Sequence, residues 1–347
     1  MSKMAEIGQT LKNKRILVTG AAGFISSRLV KALLEHEAEV VAVVDEETDL
    51  TRIEPLLSDP RFHLLRCSLT DSSTLAKLGR ERIELVAHLG IRVPGGNGFG
   101  EQCLEDITLN LLPTLNLVRS LGESVRGICF ASSVAVYGSP ARLPVKENEL
   151  PSPFSSYAVT KLAVECYLRV YGLVNQIPVT ILRCATVYGP GELGHRAIPN
   201  FLNALSQGQR PLVYGDGSAK RDYIYVGDVV QAMVSALVKR PAQILNIGSG
   251  VGRTSLEIAR EVIRLYPADV EPQFLPGKAQ EVDLICDISA AKTALDYIPK
   301  TSLEEGLREE IEWHKRKWPP CPSKRKENTH LSGRDKEDSA TGSAILA

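Results

Sequence analysis

RILVTGAAGFISSRLVKALLEH, residues 15–36, decides the fold. Arg15–Thr19 is a short run of apolar β-formers, and a helical apolar repeat runs from about Phe24 to His36. Between them Gly20, Gly23 and Ser26 stand at three-residue spacing. Glycines in a strand-to-helix turn let backbone N–H groups come close to a bound pyrophosphate, while the helix amino end adds partial positive charge. Ser26 replaces a third glycine whose task is close helix packing, and a small residue fits that task.

Outward from this turn, strand and helix alternate. The runs EVVAVVD, HLLRCSL, ELVAHLG, GICFASS and VTILRCA read as further strands, with helices over Leu104–Leu121 and Ser156–Gly172. Continuous apolar strands separated by helices predict an α/β fold: a doubly wound (Rossmann) parallel sheet covered on both faces. From about Gly189 the texture turns to Gly/Pro-rich connections and short elements. The expected organisation is an extension over 1–14, a dinucleotide-binding domain over 15–188, and a smaller, interleaved C-terminal substrate lobe over 189–314. The stretch 315–347 is polar, Pro-bearing and aperiodic, the composition of a disordered tail.

Asp45 closes EVVAVVD, where a carboxylate hydrogen-bonds ribose hydroxyls, and Glu46 and Glu47 add charge that repels the extra phosphate of NADP. The expected cofactor is NAD; Arg28 is the nearby cation that argues otherwise. Tyr157 and Lys161 stand four apart in SSYAVTKLAVE, with Ser133 upstream in FASSVAVYG. On one helix face an ammonium at Lys161 lies beside the Tyr157 phenol and is expected to favour its ionised form. A phenol so placed becomes a base for redox chemistry on an alcohol.

The composition narrows the classes. The 347 residues are 44% hydrophobic and carry 41 basic against 41 acidic side chains, so no general field draws nucleic acid or an anionic membrane. The seven cysteines form no CxxC pair and the histidines show no metal spacing, so reduced thiols and no metal are expected. The amino terminus lacks the apolar core of a secretory signal, and no run approaches the roughly 18 apolar residues of a membrane span. The expected compartment is the cytoplasm.

With VTGAAGFIS, Asp45, ASSVAVYG, YAVTK, LRCATVYGPG, RDYIYVGDVV and LNIGSGVG in this order, about Arg15 to Glu312 resembles the extended short-chain dehydrogenase/reductases. Within them it is similar to the nucleotide-sugar epimerase/dehydratase branch typified by UDP-glucose 4-epimerase. The resemblance implies Tyr157 as base, Lys161 on the nicotinamide ribose and Ser133 on the reacting sugar oxygen. It also implies cofactor contacts from Phe24, Ile25, Ser68 and Leu69. For a nucleotide-diphosphate sugar it implies Arg221 on the diphosphate, Tyr214 stacked on the base, and contacts from Asn200 and Thr186. A homodimer through the helices over Leu104–Leu121 and Ser156–Gly172 is likewise implied.

Several positions depart from that pattern. Cys67 and Ser68 replace a Gly-Asp pair beside the adenine, and Gly90 and Ile91 replace alanines ahead of a Gly-rich loop, VPGGNGFG. Thr186 replaces an asparagine and resembles the branch acting on UDP-glucuronate. The late phosphate-binding arginine has only Lys278 near its place. Val134 and Ala135 replace the Asp-Glu pair of the 4,6-dehydratases, and two aliphatic side chains cannot shuttle the protons that dehydration needs. The leading expectation is an NAD-dependent nucleotide-sugar 4-epimerase. A UDP-glucuronate 4-epimerase or decarboxylase, with Ser132 or Thr186 in its pocket, a net NAD(P)-dependent dehydrogenase, and a non-catalytic NAD-binding protein stay open as alternatives.

Overall fold

The structure, a computed structural model, describes residues 10–71, 78–91, 101–192, 196–277 and 282–318. The strands are β1 (Arg15–Thr19), β2 (Glu39–Val44), β3 (Phe62–Arg66), β4 (Leu85–His88), β5 (Gly127–Ser133), β6 (Val179–Cys184), β7 (Thr186–Tyr188), β8 (Leu212–Tyr214), β9 (Lys220–Tyr225), β10 (Ile244–Ile247), β11 (Gly252–Thr254) and β12 (Gln273–Leu275). Seven of them form one sheet in the order β10-β6-β5-β4-β1-β2-β3, every pairing parallel. This is the doubly wound sheet read from the apolar runs. After β3 the chain returns to the far side of β1, so the strand order reverses between β1 and β4 and opens the crevice where such sheets bind ligands.

Alternate residues of each strand enter opposite cores. Ile16 and Val18 pack with Leu29, Val30 and Leu33 of helix α1 (Phe24–Glu35). Leu17, Val41 and Val43 join Leu117, Val164 and Leu168 on the other face. Burial on both faces is why these strands read as continuous apolar runs rather than alternating ones.

The helix expected over Leu104–Leu121 is interrupted. Helix α2 (Glu101–Asp106) passes through a π-helical turn, Ile107–Leu111, into α3 (Leu112–Ser120). Pro113 explains the widening: it has no N–H to donate, and its ring crowds the carbonyl one turn earlier. Helix α4 (Ser156–Asn175) starts where Ser155 caps it, accepting the Ala158 N–H at 3.3 Å.

Beyond β6 the chain builds a smaller unit and twice returns to the sheet. Helix α5 (Ala197–Ser206), β9 between β7 and antiparallel β11, the β8–β12 pair and helix α7 (Ser255–Leu265) form the separate unit. Its own core includes Tyr188, Phe201, Leu202, Ile258, Val262 and Leu307. Helix α6 (Val226–Lys239) goes back to pack on α1, β10 extends the sheet, and α8 (Ser289–Leu295) packs on α6. Helix α9 (Leu303–Lys317) continues past Lys315, so helical order reaches into the stretch read as tail, and 319–347 lie outside the described residues. Among the described residues no helix is long and apolar enough to cross a membrane.

Candidate functional site

The glycine turn brings two strand ends together. Gly20 has φ +62°, and a Cβ there would meet the Gly90 Cα at 2.8 Å. A Cβ at Gly90 would in turn meet Thr19 Oγ1 at 3.0 Å, so the replacement of alanine at 90 fits this close approach. Ser26 is buried and its hydroxyl donates to the Gly20 carbonyl, closing the turn from within. Helix α1 begins at Gly23 with no side-chain cap and no acidic residue in its first turn, which leaves its amino end suited to an anion.

Beneath the turn lies a buried polar chain. Thr19 Oγ1 accepts the N–H groups of Leu89 (3.1 Å) and Gly90 (2.9 Å), so its own proton goes to His88 Nδ1 at 2.7 Å. His88 then carries its proton on Nε2 and donates to Thr114 Oγ1 at 2.9 Å, and Thr114 donates to the Asn110 carbonyl at 2.8 Å. Burial first, with help from Lys161, lowers the His88 pKa to about 3, so the ring stays neutral. This chain ties the π turn to the cofactor turn.

One cavity of about 830 Å³ collects most of the expected residues. Gly20, Gly23, Phe24, Ile25, Asp45, Ser68, Leu69, Ser133, Tyr157 and Lys161 all line it. Asp45 is exposed at the carboxyl end of β2, beside Glu46 and Glu47. Arg28, the cation that argued for NADP, is directed elsewhere: it lies over the Phe24 ring and donates to the Phe24 and Pro190 carbonyls. Ser68 shares a 2.7 Å hydrogen bond with Thr70, and Leu69 is fixed by Asn116 donating to its carbonyl at 2.9 Å. The open, glycine-lined turn, the bare helix end and the rim carboxylate together fit NAD.

At the other end, the Ser133 side chain is near enough to Tyr157 to favour its ionised form, and Lys161 Nζ lies 5.7 Å from the Tyr157 ring centre. The three are adjacent as the spacing implied, but their electrostatics differ from expectation. Burial pushes the Tyr157 phenol up to about 12, and the charge opposing it is that of Arg196 rather than Lys161. Lys161 is itself buried, which lowers its pKa to about 8, and it donates to the Ala131 carbonyl at 2.5 Å. The lysine's attachment to the strand, together with loss of water around the phenol, explains why the expected depression is not met.

A second buried network supports this end. Glu165, one turn beyond Lys161, accepts Ser132 Oγ at 2.5 Å and forms a two-pronged pair with Arg183 at 2.6 and 3.0 Å. Arg183 covers the Tyr137 ring, whose hydroxyl donates to Asn246 Oδ1 at 2.7 Å. Glu165 was open to discovery from periodicity alone, standing four residues after Lys161. Arg196, Arg52 and Glu192 had no such signal, because they belong to connections.

Four expected substrate contacts lie outside the cavity lining: Thr186 at the start of β7, Asn200 on α5, Tyr214 on β8 and Arg221 on β9. Arg221 is held in register by its neighbour. Asp222 is buried and accepts the N–H groups of Ser249, Gly250 and Cys286 and the Ser249 hydroxyl. Lys278 and the loop VPGGNGFG fall outside the described residues.

Known proteins share this architecture. UDP-glucose 4-epimerase of Mycolicibacterium smegmatis is 32% identical over 317 residues, 87% of this chain and 99% of that protein. Mouse dTDP-D-glucose 4,6-dehydratase is 28% identical over 320 residues, 87% of this chain and 89% of that one. The structure of UDP-glucuronic acid 4-epimerase from Bacillus cereus, in complex with UDP-glucuronic acid and NAD, matches with a TM-score of 0.79 at 29% identity, covering 88% of this chain and 100% of that one. Residues 16–248 match the model of the NAD dependent epimerase/dehydratase family, and the chain belongs to that family.

Proposed function

We propose that the protein is a nucleotide-sugar 4-epimerase of the UDP-glucose/UDP-galactose type, working through a transient 4-keto sugar. The observation that carries this reading is the distribution of acids around the cavity. Tyr157, Ser133 and Lys161 share one end, whereas the carboxylates among its described lining residues, Asp45, Glu46, Glu47 and Asp49, sit at the β2 end. Elimination of water across carbons five and six needs an acid and a base beside the sugar, and Val134 and Ala135 supply neither. A single base that removes and returns one hydroxyl proton is enough for epimerisation.

NAD supplies the hydride acceptor, and then the donor, at carbon four. Tyr157 takes the 4-hydroxyl proton, Ser133 steadies the oxygen by hydrogen bonding, and Lys161 fixes the geometry from the Ala131 carbonyl. Rotation of the keto sugar before hydride returns requires the diphosphate to stay anchored, the role we assign to Arg221. Thr186, Asn200 and Tyr214 complete the substrate lobe in this reading, within residues 189–314 and the start of β7. A uronate substrate is less well supported, because the Ser132 hydroxyl is engaged by Glu165.

The assembly we propose is a homodimer. Val159, Tyr167, Val170, Leu173 and Val174 are exposed along α4, with Leu104 and Ile107 exposed on the helical segment that packs against it. Such a stripe on one helix suits burial against a second copy. Light scattering of the purified chain tests it.

Incubation with a panel of nucleotide sugars, with products resolved by NMR, tests the activity. Epimerised product without net NADH is expected, and Tyr157→Phe should abolish turnover while leaving the thermal midpoint in place. Normal turnover by that variant, or stoichiometric NADH from the wild type, overturns the assignment.

A further inference from the structure

We propose that Ser132 is a positioning residue: its hydroxyl, donated to the buried Glu165 carboxylate, fixes the end of β5 that presents the Ala131 carbonyl to Lys161 and the Ser133 hydroxyl to the cavity. This rests on Ser133 and Lys161 acting in the reaction as assigned above. Ser132 borders the cavity, yet its hydroxyl is engaged at 2.5 Å by Glu165 Oε1. Glu165 is 1% exposed and is not among the described lining residues. The bond therefore acts on the site through the strand.

Successive turns of one helix hold this strand end. Tyr157, Lys161 and Glu165 stand four residues apart on α4 and so share a face. Phe130 and Ser132, two apart on β5, share the sheet face that α4 covers. The Lys161 ammonium lies 4.9 Å from the Phe130 ring centre, and Glu165 reaches Ser132 one turn later. Between those two strand residues, the Ala131 carbonyl accepts Lys161 Nζ at 2.5 Å. Ser133 follows directly, its Oγ accepting the Ala135 N–H at 3.2 Å. A displaced strand end would move the lysine's acceptor and the serine hydroxyl together.

Glu165 is a firm anchor because it is tied on its far side. Arg183 stands directly beside Ser132 in the β5–β6 ladder and gives the carboxylate its Nε at 3.0 Å and its Nη2 at 2.6 Å. The guanidinium lies 4.7 Å from the Tyr137 ring centre, and the Tyr137 hydroxyl donates to Asn246 Oδ1 on β10 at 2.7 Å. Asn246 in turn donates to the Val145 carbonyl at 2.9 Å. Helix α4 and strands β5, β6 and β10 are thus joined through one carboxylate and its arginine. A hydrogen bond to an ionised acceptor is about twice as strong as one between neutral groups. An alanine at 132 leaves the Glu165–Arg183 pair whole, so the fold keeps its support while the strand end loses its tie.

The test is steady-state kinetics of the NAD-bound protein on UDP-glucose. Ser132→Ala should lower kcat by about tenfold or more with KM within about twofold, since misplaced reacting groups slow the chemical step. Loss of stability alone would not separate the two constants in this way. Ser132→Thr, which keeps the hydroxyl, should restore most of the rate. In a Ser133→Ala background the alanine at 132 should cost less than about threefold, because one of the groups it positions is gone. Unchanged kcat in Ser132→Ala, or full additivity with Ser133→Ala, overturns the proposal. If the wild type does not turn over UDP-glucose, the epimerase reading fails, and amide hydrogen exchange of the NAD-bound protein decides the role of Ser132. Exchange at residues 131–133 should then rise about tenfold in Ser132→Ala, and unchanged exchange overturns the proposal.

Discussion

Replacing Glu165 by glutamine should cost the protein about 3 kcal/mol, because it breaks a buried ion pair rather than a surface one. Glu165 and Arg183 side chains are 2% and 3% exposed, and the carboxylate takes three hydrogen bonds from Arg183 and one from Ser132. Removing one partner of such a pair leaves an uncompensated charge, at about 3–5 kcal/mol. Glutamine keeps one acceptor oxygen but turns an amide toward the guanidinium, donor against donor, so the low end applies. Arg183 Nη1 already lacks a partner, which leaves no second acceptor to take up the charge. Urea unfolding followed by tryptophan fluorescence and by circular dichroism gives the free energy at unchanged slope. Glu165→Leu with Arg183→Met should recover at least half of the loss, since an apolar pair of similar volume is close to neutral in such sites. A loss under about 1 kcal/mol in the single variant, or simple additivity in the double one, would refute the reasoning. Lys161 gives an independent readout: Glu165 raises its pKa, so the glutamine variant should carry a less basic lysine.

Two further outcomes follow from the geometry. Gly20→Ala should weaken NAD binding at least tenfold by calorimetry, since a left-handed residue with a Cβ costs about 1–2 kcal/mol and that Cβ would also meet the Gly90 backbone; unchanged affinity would show that the turn is not tight. Glu310 is 1% exposed, and burial, aided by Glu192, pushes its carboxyl up to about 9 from 4.5. Between those values the folded protein keeps a proton that the unfolded chain has released, so this contribution is complete below the lower value and is lost as pH rises through the higher. Glu310→Gln, which does not titrate, should therefore gain in thermal midpoint relative to wild type between about pH 5 and about pH 8; a constant difference across that range refutes the shift.

The sheet was legible because burial on both faces leaves a simple mark, a continuous apolar run. Residues 15–19, 39–44 and 127–133 each show it, and the capping serine at 155 marks the start of α4. The helix over Leu104–Leu121 was misread as continuous because propensity sees Pro113 as a tolerable first-turn residue and cannot see the π turn before it. β10 pairs with β6 across more than fifty residues of intervening chain, and no local pattern carries such a pairing. The cofactor end of the site lies close to β1 and β2 and could be read from spacing. Arg196 and Glu192 could not, since polarity in a connection is the same whether it faces solvent or a cavity.

The ionisation of the triad shows why contact alone did not settle its chemistry. An i, i+4 pair brings phenol and ammonium to one face, but their burial acts on the two in opposite directions: it favours the neutral phenol and the neutral amine. Tyr157 rises to about 12 and Lys161 falls to about 8, so burial alone makes Tyr157 a poor base and Lys161 a weaker cation. A usable phenolate then depends on positive charge supplied from outside the helix. Oxidised NAD would carry one such charge in its nicotinamide ring, and Arg196, on the lining of the same cavity, acts on the phenol in the same direction. The same low dielectric that raises the phenol makes each nearby charge count for more than it would in water. In the proposed epimerase the base role assigned to Tyr157 would therefore depend on the bound cofactor, whose nicotinamide charge would lower the phenol only in the oxidised form.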